Sequence, residues 1–331
     1  MLARTMNQSE TIILTAEDAR ALLDPAELLP RLRDAFAKYS TERSVPARRY
    51  PVELPQSQET GAGGMVLAPG LLPGIPAYTI KVNAKFPGTT PSIKGAILLH
   101  DLEKGDLLAI LDSGYITGVR TGLAGALGAD VLARPDASHV AIIGAGTQGR
   151  VQLESLARVR KITAVHVYDN LVASAQQFAS ENHEGIACEV SVAGSVEEAV
   201  RDADIIVAST WSTTPFLAKG MIRPGAHITT LGPDSPGKAE VDAALIKSGL
   251  FVCDDLDLAV EMGAAGGVGL GADVVDAELG EVIAGVKPGR ISDDQITIFG
   301  SVGLAFQDLV AAWLIFEKAK ASGRGQNINL V

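Results

Sequence analysis

The chain has 331 residues, 47% of them hydrophobic, a formal net charge of −11 and a mean hydropathy of +0.22. Such a length predicts two domains, each able to bury a sizeable core. The acidic balance argues against nucleic acid or an anionic membrane as partner. Apolar runs are short and broken by Gly, Pro or charge, so none reaches the roughly eighteen residues of a membrane span. The opening MLARTMNQSE lacks the apolar core of an export signal. Cys188 and Cys253 lie in apolar, strand-like runs with no second Cys or His at ligand spacing. They read as buried thiols, with no metal site and no disulfide, as expected of a cytoplasmic protein.

Taken in order, Thr11 to Leu14 predicts a short strand. Thr15 with Asp18 forms an acidic variant of a capping box, and Pro25 opens a helical run through Tyr39. A polar, proline-rich passage from Val45 to Pro55 carries Arg48 and Arg49, and Gly61 to Gly64 predicts a turn before Met65 to Pro69. Tyr78 to Asn83 alternates by twos, with Tyr78, Ile80 and Val82 on one face and Thr79, Lys81 and Asn83 on the other. By pattern alone the face carrying Lys81 is a solvated one. Ile93 to His100 and Leu107 to Leu111 predict further strands around a turn at Glu103-Lys104-Gly105, hence an antiparallel or mixed sheet. Ser113 to Leu132 predicts a helix holding Gly118, Gly122, Gly125 and Gly128. Each glycine costs a helix about 1 kcal/mol against alanine, which suggests close packing or ligand approach along one side. Arg120, near its start, taken alone is a surface ion-pair residue.

The stretch SHVAIIGAGTQGRVQLESLARVRKITAVHVYDN, Ser138 to Asn170, is the most informative. Val140 to Ile143 is a buried strand that runs directly into Gly144-Ala145-Gly146-Thr147-Gln148-Gly149, a dinucleotide fingerprint. Gly144 allows the tight turn, Gly146 lets a pyrophosphate approach, and Gly149 lets the helix from Thr147 to Val159 pack on the strand. That helix aims its N–H groups and positive dipole end at the pyrophosphate. A second strand, Ala164 to Tyr168, ends in Asp169, about twenty residues beyond the glycines, placed to accept from a ribose hydroxyl. Its carboxylate would repel a 2′-phosphate, which favours NAD over NADP.

Strand and helix then alternate, the sign of a parallel sheet with crossovers. Helices are expected at Leu171 to Asn182 and after the cap Ser195, and strands at Ala187 to Val192, Asp204 to Thr210, Ala226 to Leu231 and Leu250 to Cys253. The strand at Leu231 runs into Gly232 and then Asp234, which taken alone is a turn residue. Gly263 to Gly271 reads as a mobile surface loop. After Ile296 to Phe299 a helix from Leu304 to about Ala321 is apolar enough to pack back on the N-terminal domain, and the tail from Ser322 is expected to be loose. The five histidines stand singly and read as structural.

Lys81-Val82-Asn83, LDSGYITGVRTGLAGA, GAGTQG, LGPDSPGK and FGSVGLAFQD occur in that order across nearly the whole chain. Together they closely resemble the ornithine cyclodeaminase/μ-crystallin family. The resemblance implies an α/β fold: a Rossmann-type doubly wound NAD-binding domain (119–303), plus a mixed α+β substrate-binding and dimerisation domain (1–118 with 304–331). It implies that Arg48, Lys81 and Arg120 hold a substrate carboxylate, that Lys81 also polarises the reacting centre, and that Val302 lines the substrate pocket. Between Arg48 and Arg49 the sequence alone does not choose; the likeness favours Arg48. Asp234 would carry the proton. The dinucleotide would meet Ser92, Arg120, Thr147, Gln148, Asp169, Thr210, Leu231, Gly232, Lys238 and Ser301 besides the glycines.

Hydride leaving an amino acid α-carbon requires the amine to lose a proton, which a nearby carboxylate can take and return. A carboxylate substrate requires fixed cations. A lysine desolvated beside arginines could itself act as acid or base. The expected activity is that of an NAD(H)-dependent amino acid dehydrogenase or imine reductase on a small amino or imino acid, in a homodimer. The alternatives are a cyclodeaminase that recycles NAD and releases ammonia, and a catalytically idle NAD-binding protein of the crystallin type. In the ornithine enzymes of that family a glutamate shortly before the Met-Pro pair recognises the side-chain amine. Here Val66 stands at that place and Glu53 is out of alignment, so cyclisation onto ornithine is disfavoured.

Overall fold

The computed structural model describes residues 10–42, 45–54, 64–86 and 93–330. The chain divides into two compact units: Met1–Leu28 with Ser44–Thr117 and Leu304–Val331, and Leu29–Arg43 with Gly118–Gly303. Residues 29–43, which sequence order groups with the first segment, thus cluster with the second.

The first unit is built on a seven-stranded mixed sheet. Its strands are β1 (Thr11–Leu14), β2 (Tyr50–Glu53), β3 (Gly64–Gly70), β4 (Ala77–Lys85), β5 (Ile93–Asp101), β6 (Leu107–Asp112) and a closing strand, Gln326–Ile328. The order is closing strand–β1–β6–β5–β4–β3–β2, with only β1 and β6 parallel. Helix α1 (Ala16–Leu22) starts on the expected Thr15–Asp18 capping box. The proline-rich passage supplies β2, a strand the sequence did not suggest. Of the turn expected at Gly61 to Gly64, Gly64 is already the first residue of β3 and 61–63 lie outside the described residues.

The tail is not loose. Gln326–Ile328 adds to the edge of β1, and Arg324 Nε donates to Asp18 at 2.7 Å. The C-terminal helix, Ala305–Ser322, packs on β3, β4, β5 and α1, burying Phe306, Leu309, Leu314 and Phe316. That apolar stripe accounts for a C-terminal helix returning to an N-terminal sheet.

The face of β4 expected to be solvated is the buried one. Thr79, Lys81 and Asn83 are buried, whereas Tyr78, Ile80 and Val82 are half-exposed. Cross-strand partners share a face, so Lys81 stands beside Ala68 and Ile97, and Asn83 beside Val66 and Gly95.

Helix α2 (Pro25–Glu42) passes from the first unit into the second, and helix α3 (Ser113–Leu132) does the same. In the second unit eight parallel strands follow the order β13–β12–β14–β11–β10–β7–β8–β9. They are β7 (His139–Ile143), β8 (Ala164–Tyr168), β9 (Val190–Val192), β10 (Ile205–Ala208), β11 (His227–Thr230), β12 (Leu250–Cys253), β13 (Ala277–Glu278) and β14 (Thr297–Gly300). β7, β10, β11, β12 and β14 are apolar or β-branched and buried almost throughout, as a sheet covered on both faces requires. Helix α4 (Thr147–Leu156) follows β7 directly.

Gly263 to Gly271 is not a mobile loop. Ala264–Gly267 forms a helical turn with Ala264 and Ala265 buried, and a Cβ on Gly267 would fall 2.0 Å from the Lys238 carbonyl. Cys253 is buried on β12 as expected, but Cys188 is half-buried and outside any strand, and both thiols are free. His227 is enclosed between Thr297 and Thr229, and burial brings its imidazole down to about 3, so it stays neutral. Among the described residues no helix is long and apolar enough to cross a membrane, and no group of His, Cys, Asp and Glu is placed to hold a metal ion.

Three glycines of α3 are packing residues. A Cβ on Gly122 would meet Ser155 and Val151, one on Gly125 would meet Gln152, and one on Gly128 would fall 2.4 Å from the Phe299 ring, whereas one on Gly118 meets nothing within 4 Å. Gly118→Ala is therefore expected to raise stability by up to about 1 kcal/mol. Gly128→Ala should lower it by about 1–3 kcal/mol through overpacking, despite the better helix former. Urea midpoints of the two variants check both signs.

Candidate active site

The second unit carries the glycine run at the end of β7. Gly144 adopts φ +105° with its α-carbon turned against the Ser209 carbonyl, where a Cβ would sit 2.7 Å away. Only glycine accepts both conditions. A Cβ on Gly149 would fall 2.2 Å from the Gly144 oxygen, so α4 lies hard on the turn. Gly146 is exposed and a Cβ there meets nothing within 4 Å, and it caps α4 without a side-chain hydrogen bond. The first N–H groups of the helix, from Thr147 and Gln148 onward, therefore border a hollow suited to an anion. The Gln148 Oε1 is buried with no partner among the described residues. Asp169 Oδ2 accepts from the Ala145 N–H and its Oδ1 from the Leu171 N–H, both at 2.9 Å. The turn, the hollow and the orphaned amide oxygen fit a dinucleotide.

Sequence reasoning missed Glu240, which ties the ends of β10 and β11. It is fully buried. Its Oε1 accepts from the Thr210 N–H at 2.6 Å and the Thr210 hydroxyl at 2.8 Å, and its Oε2 accepts from the Thr230 hydroxyl at 2.7 Å and the Gly232 N–H at 3.0 Å. Burial raises its carboxyl above the ordinary range, against the pull of those four donors. The Thr210 hydroxyl also accepts from the Ser212 N–H, so this group, expected to meet the dinucleotide, shapes the strand end as well. Half-buried Leu231 donates its N–H to the Ala208 carbonyl, continuing the ladder to Gly232. Beyond it, Lys238 Nζ donates to Asp234 Oδ1 at 2.7 Å and lies 4.4 Å from the centroid of the Trp211 ring.

Arg120 is 5% exposed, which removes the reading as a surface ion-pair residue. Its guanidinium lies against Gly303, whose φ is +86° and where a Cβ would sit 2.6 Å away. Asp254, at the end of β12 and also unmarked in the sequence, holds that turn. Its Oδ2 accepts from the Gly303 N–H at 2.6 Å and from the Ser301 hydroxyl at 3.0 Å, and Ser301 and Val302 are buried beside it. Burial pushes the Asp254 carboxyl up to about 6, with the Gly303 and Val302 N–H groups pulling the other way.

In the first unit Lys81 Nζ donates to Asp308 Oδ2 at 2.5 Å, with side-chain exposures of 8% and 0%. Asn83 accepts from the Ser113 hydroxyl and donates to Thr117 at 3.3 Å. Val66 is half-buried on the same face. Arg48 is exposed ahead of β2 and Arg49 is half-buried, so the structure leaves that choice as the sequence left it. Ser92 lies outside the described residues.

The model of the ornithine cyclodeaminase/mu-crystallin family matches residues 9–323. The chain belongs to that family. Alanine dehydrogenase from Archaeoglobus fulgidus is 36% identical over 330 residues, covering 96% of this chain and 98% of the relative. A solved archaeal alanine dehydrogenase, a dimer with bound NAD, matches with a TM-score of 0.88 at 35% identity, over 97% of this chain and 100% of its own. The Thermococcus litoralis Δ1-pyrroline-2-carboxylate reductase, solved with NADH and L-proline, matches at 0.87 and 30% identity, over 96% and 100%. Each match covers nearly the full length of both chains.

The raised Asp254 carboxyl has a signed consequence. A carboxyl whose folded value exceeds its unfolded one, about 3.9, makes the folded state hold the proton more tightly. Its contribution therefore favours folding at low pH and is lost as pH rises from about 4 to about 6. Asp254→Asn removes this dependence, so melting temperatures measured from pH 4 to 7 should show the variant gaining on the wild type as pH rises. A constant difference across that range would contradict the assignment.

Proposed function

We propose that this chain is an NAD(H)-dependent oxidoreductase of small α-amino and α-imino acids, working as a cytoplasmic homodimer. The observation that carries the reading is the dinucleotide turn, with its open Gly146 and the orphaned Gln148 oxygen, in a family whose relatives are alanine dehydrogenase and pyrroline-2-carboxylate reductase. The residues that hold the dinucleotide are Gly144, Gly146, Thr147, Gln148, Gly149 and Asp169, with Thr210, Leu231, Gly232, Lys238, Ser301 and Arg120 toward its other end. Ser92 joins them by resemblance. When bound, the nicotinamide supplies hydride to the substrate α-carbon or takes it away.

The rest is work for side chains. Arg48, Lys81 and Arg120 grip the substrate carboxylate, Arg120 and Arg48 by the planar fork that suits it. Lys81, paired with Asp308, also polarises the reacting centre. Asp234 returns a proton to the amine nitrogen in the reductive direction and removes it in the oxidative one. Val302 borders the pocket. Val66 offers nothing to a distal ammonium, which favours substrates with short, uncharged side chains over ornithine or lysine.

The test is a panel of α-imino acids, α-keto acids with ammonia, and diamino acids, each with NADH and NADPH. Net oxidation of NADH by an imino acid or by a keto acid with ammonia is expected. Ammonia released from ornithine or lysine without net change in NADH would replace the reading with a cyclodeaminase. Binding of NADH without turnover of any of them would leave a non-catalytic protein. Asp234→Asn should lower kcat about 10²- to 10⁴-fold, and Lys81→Met should raise KM for the carboxylate substrate more than it alters NADH binding.

A further inference from the structure

Resting on that reading, we propose that Trp211 is a positioning residue: its indole clamps the Lys238 ammonium onto the Asp234 carboxylate. Lys238 Nζ sits 4.4 Å from the ring centroid and 2.7 Å from Asp234 Oδ1. A cation placed over an indole within about 6 Å of its centroid is attracted by the negative face of the ring. Lys238 and Asp234 are four apart but not in a helix, so no helical repeat brings them together. A lysine stem carries several rotatable bonds, and in such a segment something else must fix its head.

The ring is well placed for this. Thr210, before it, is held through its N–H and hydroxyl by Glu240. Ser212, after it, accepts from the Ala239 N–H at 3.0 Å through its carbonyl. The segment that carries Lys238 thus grips the backbone on both sides of Trp211. Behind Lys238 the helical turn at Gly267 lies against its carbonyl, so the lysine backbone is fixed as well. With both backbones held, the ring-to-ammonium contact joins the two side chains. Half of the indole is nevertheless exposed, at 59% for the whole residue, so its loss opens no cavity in the core.

The consequence is that the Lys238 charge is directed at the proton-carrying acid. It draws the carboxylate to one orientation between turnovers. In this proposal Trp211 acts on the reaction through Lys238.

The experiment is a double-mutant cycle with NADH and Δ1-pyrroline-2-carboxylate, with thermal melts and NADH dissociation constants measured alongside. Trp211→Ala is expected to lower kcat about two- to fivefold, the rate equivalent of an exposed cation–π contact, with NADH binding unchanged. Trp211→Phe should recover most of that loss, and in the Lys238→Met background Trp211→Ala should cost nothing further. Full additivity with Lys238→Met, equal losses in the Ala and Phe variants, or a change confined to NADH affinity would each overturn the clamp. An activity-independent arm uses the Trp313→Phe background, in which Trp211 is the only tryptophan. There Lys238→Met should alter Trp211 fluorescence, and an unchanged spectrum overturns the clamp even if the chosen imino acid is not a substrate. Failure of the enzymatic reading has a separate signature: Asp234→Asn retaining full turnover.

Discussion

The Lys81–Asp308 ion pair imposes the strictest condition on the first unit. Two charges have been taken out of water between a sheet and a helix, and each such transfer costs several kcal/mol before any attraction is counted. A short hydrogen bond returns part of this, and apolar residues of similar volume would hold β4 to the C-terminal helix at least as well. The pair is therefore not there for stability. Its neighbours across the sheet, Ala68 and Ile97, carry no charge of their own, so Asp308 is the group that permits an ammonium at that position. Removing the carboxylate would take away a buried counter-charge of the lysine, so the C-terminal helix and the proposed carboxylate-binding charge are linked through this pair.

The second unit solves a related problem three times over. Parallel strands end with carbonyl and N–H groups pointing into the crevice where ligands of doubly wound sheets bind. Three carboxylates fix several of these ends, Glu240 and Asp254 buried and Asp169 half-buried. Asp169 joins the turn after β7 to the residue after β8, Glu240 joins β10 to β11, and Asp254 joins β12 to the turn after β14. Acids suit this role because each oxygen accepts two donors, so one side chain can fix two strand ends at once. The result is a set of strand ends and adjoining turns held by side-chain carboxylates, and pre-set spacing is what hydride transfer between two bound molecules requires.

Much of this was legible in the sequence. Val140 to Ile143 and Leu250 to Cys253 are found where their apolar runs predict strands, buried throughout, and Ala164 to Tyr168 is a strand with one face buried. Ser113 to Leu132 is a helix over its full expected length, and its glycines mark the faces pressed against α4 and Phe299. The failures share a cause. Alternation along β4 shows that two faces differ, but polarity names the solvent face only if polar groups have no partners, and here Asp308, Ser113 and Thr117 supply them. The closing strand at Gln326–Ile328 is three polar-flanked residues whose pairing with β1 is a contact across the whole length of the chain. Glu240 and Asp254 have no motif because each acts on backbone groups, and backbone groups leave no trace in side-chain spacing.

The cofactor preference follows from the same use of carboxylates. Asp169 could in principle swing aside to admit a phosphate on the ribose. Both of its oxygens, however, accept from backbone N–H groups, one in the glycine turn and one at the start of the next helical segment. Turning the side chain would break two charge-assisted hydrogen bonds and loosen the turn that receives the pyrophosphate. The negative charge at the end of β8 is thereby part of the turn itself. A 2′-phosphate would meet it at full strength, while a 2′-hydroxyl can donate to a lone pair that the backbone leaves open. On the proposed role of Asp169, discrimination and the geometry of the turn rest on one side chain, and a switch to NADP would have to rebuild the turn along with the charge.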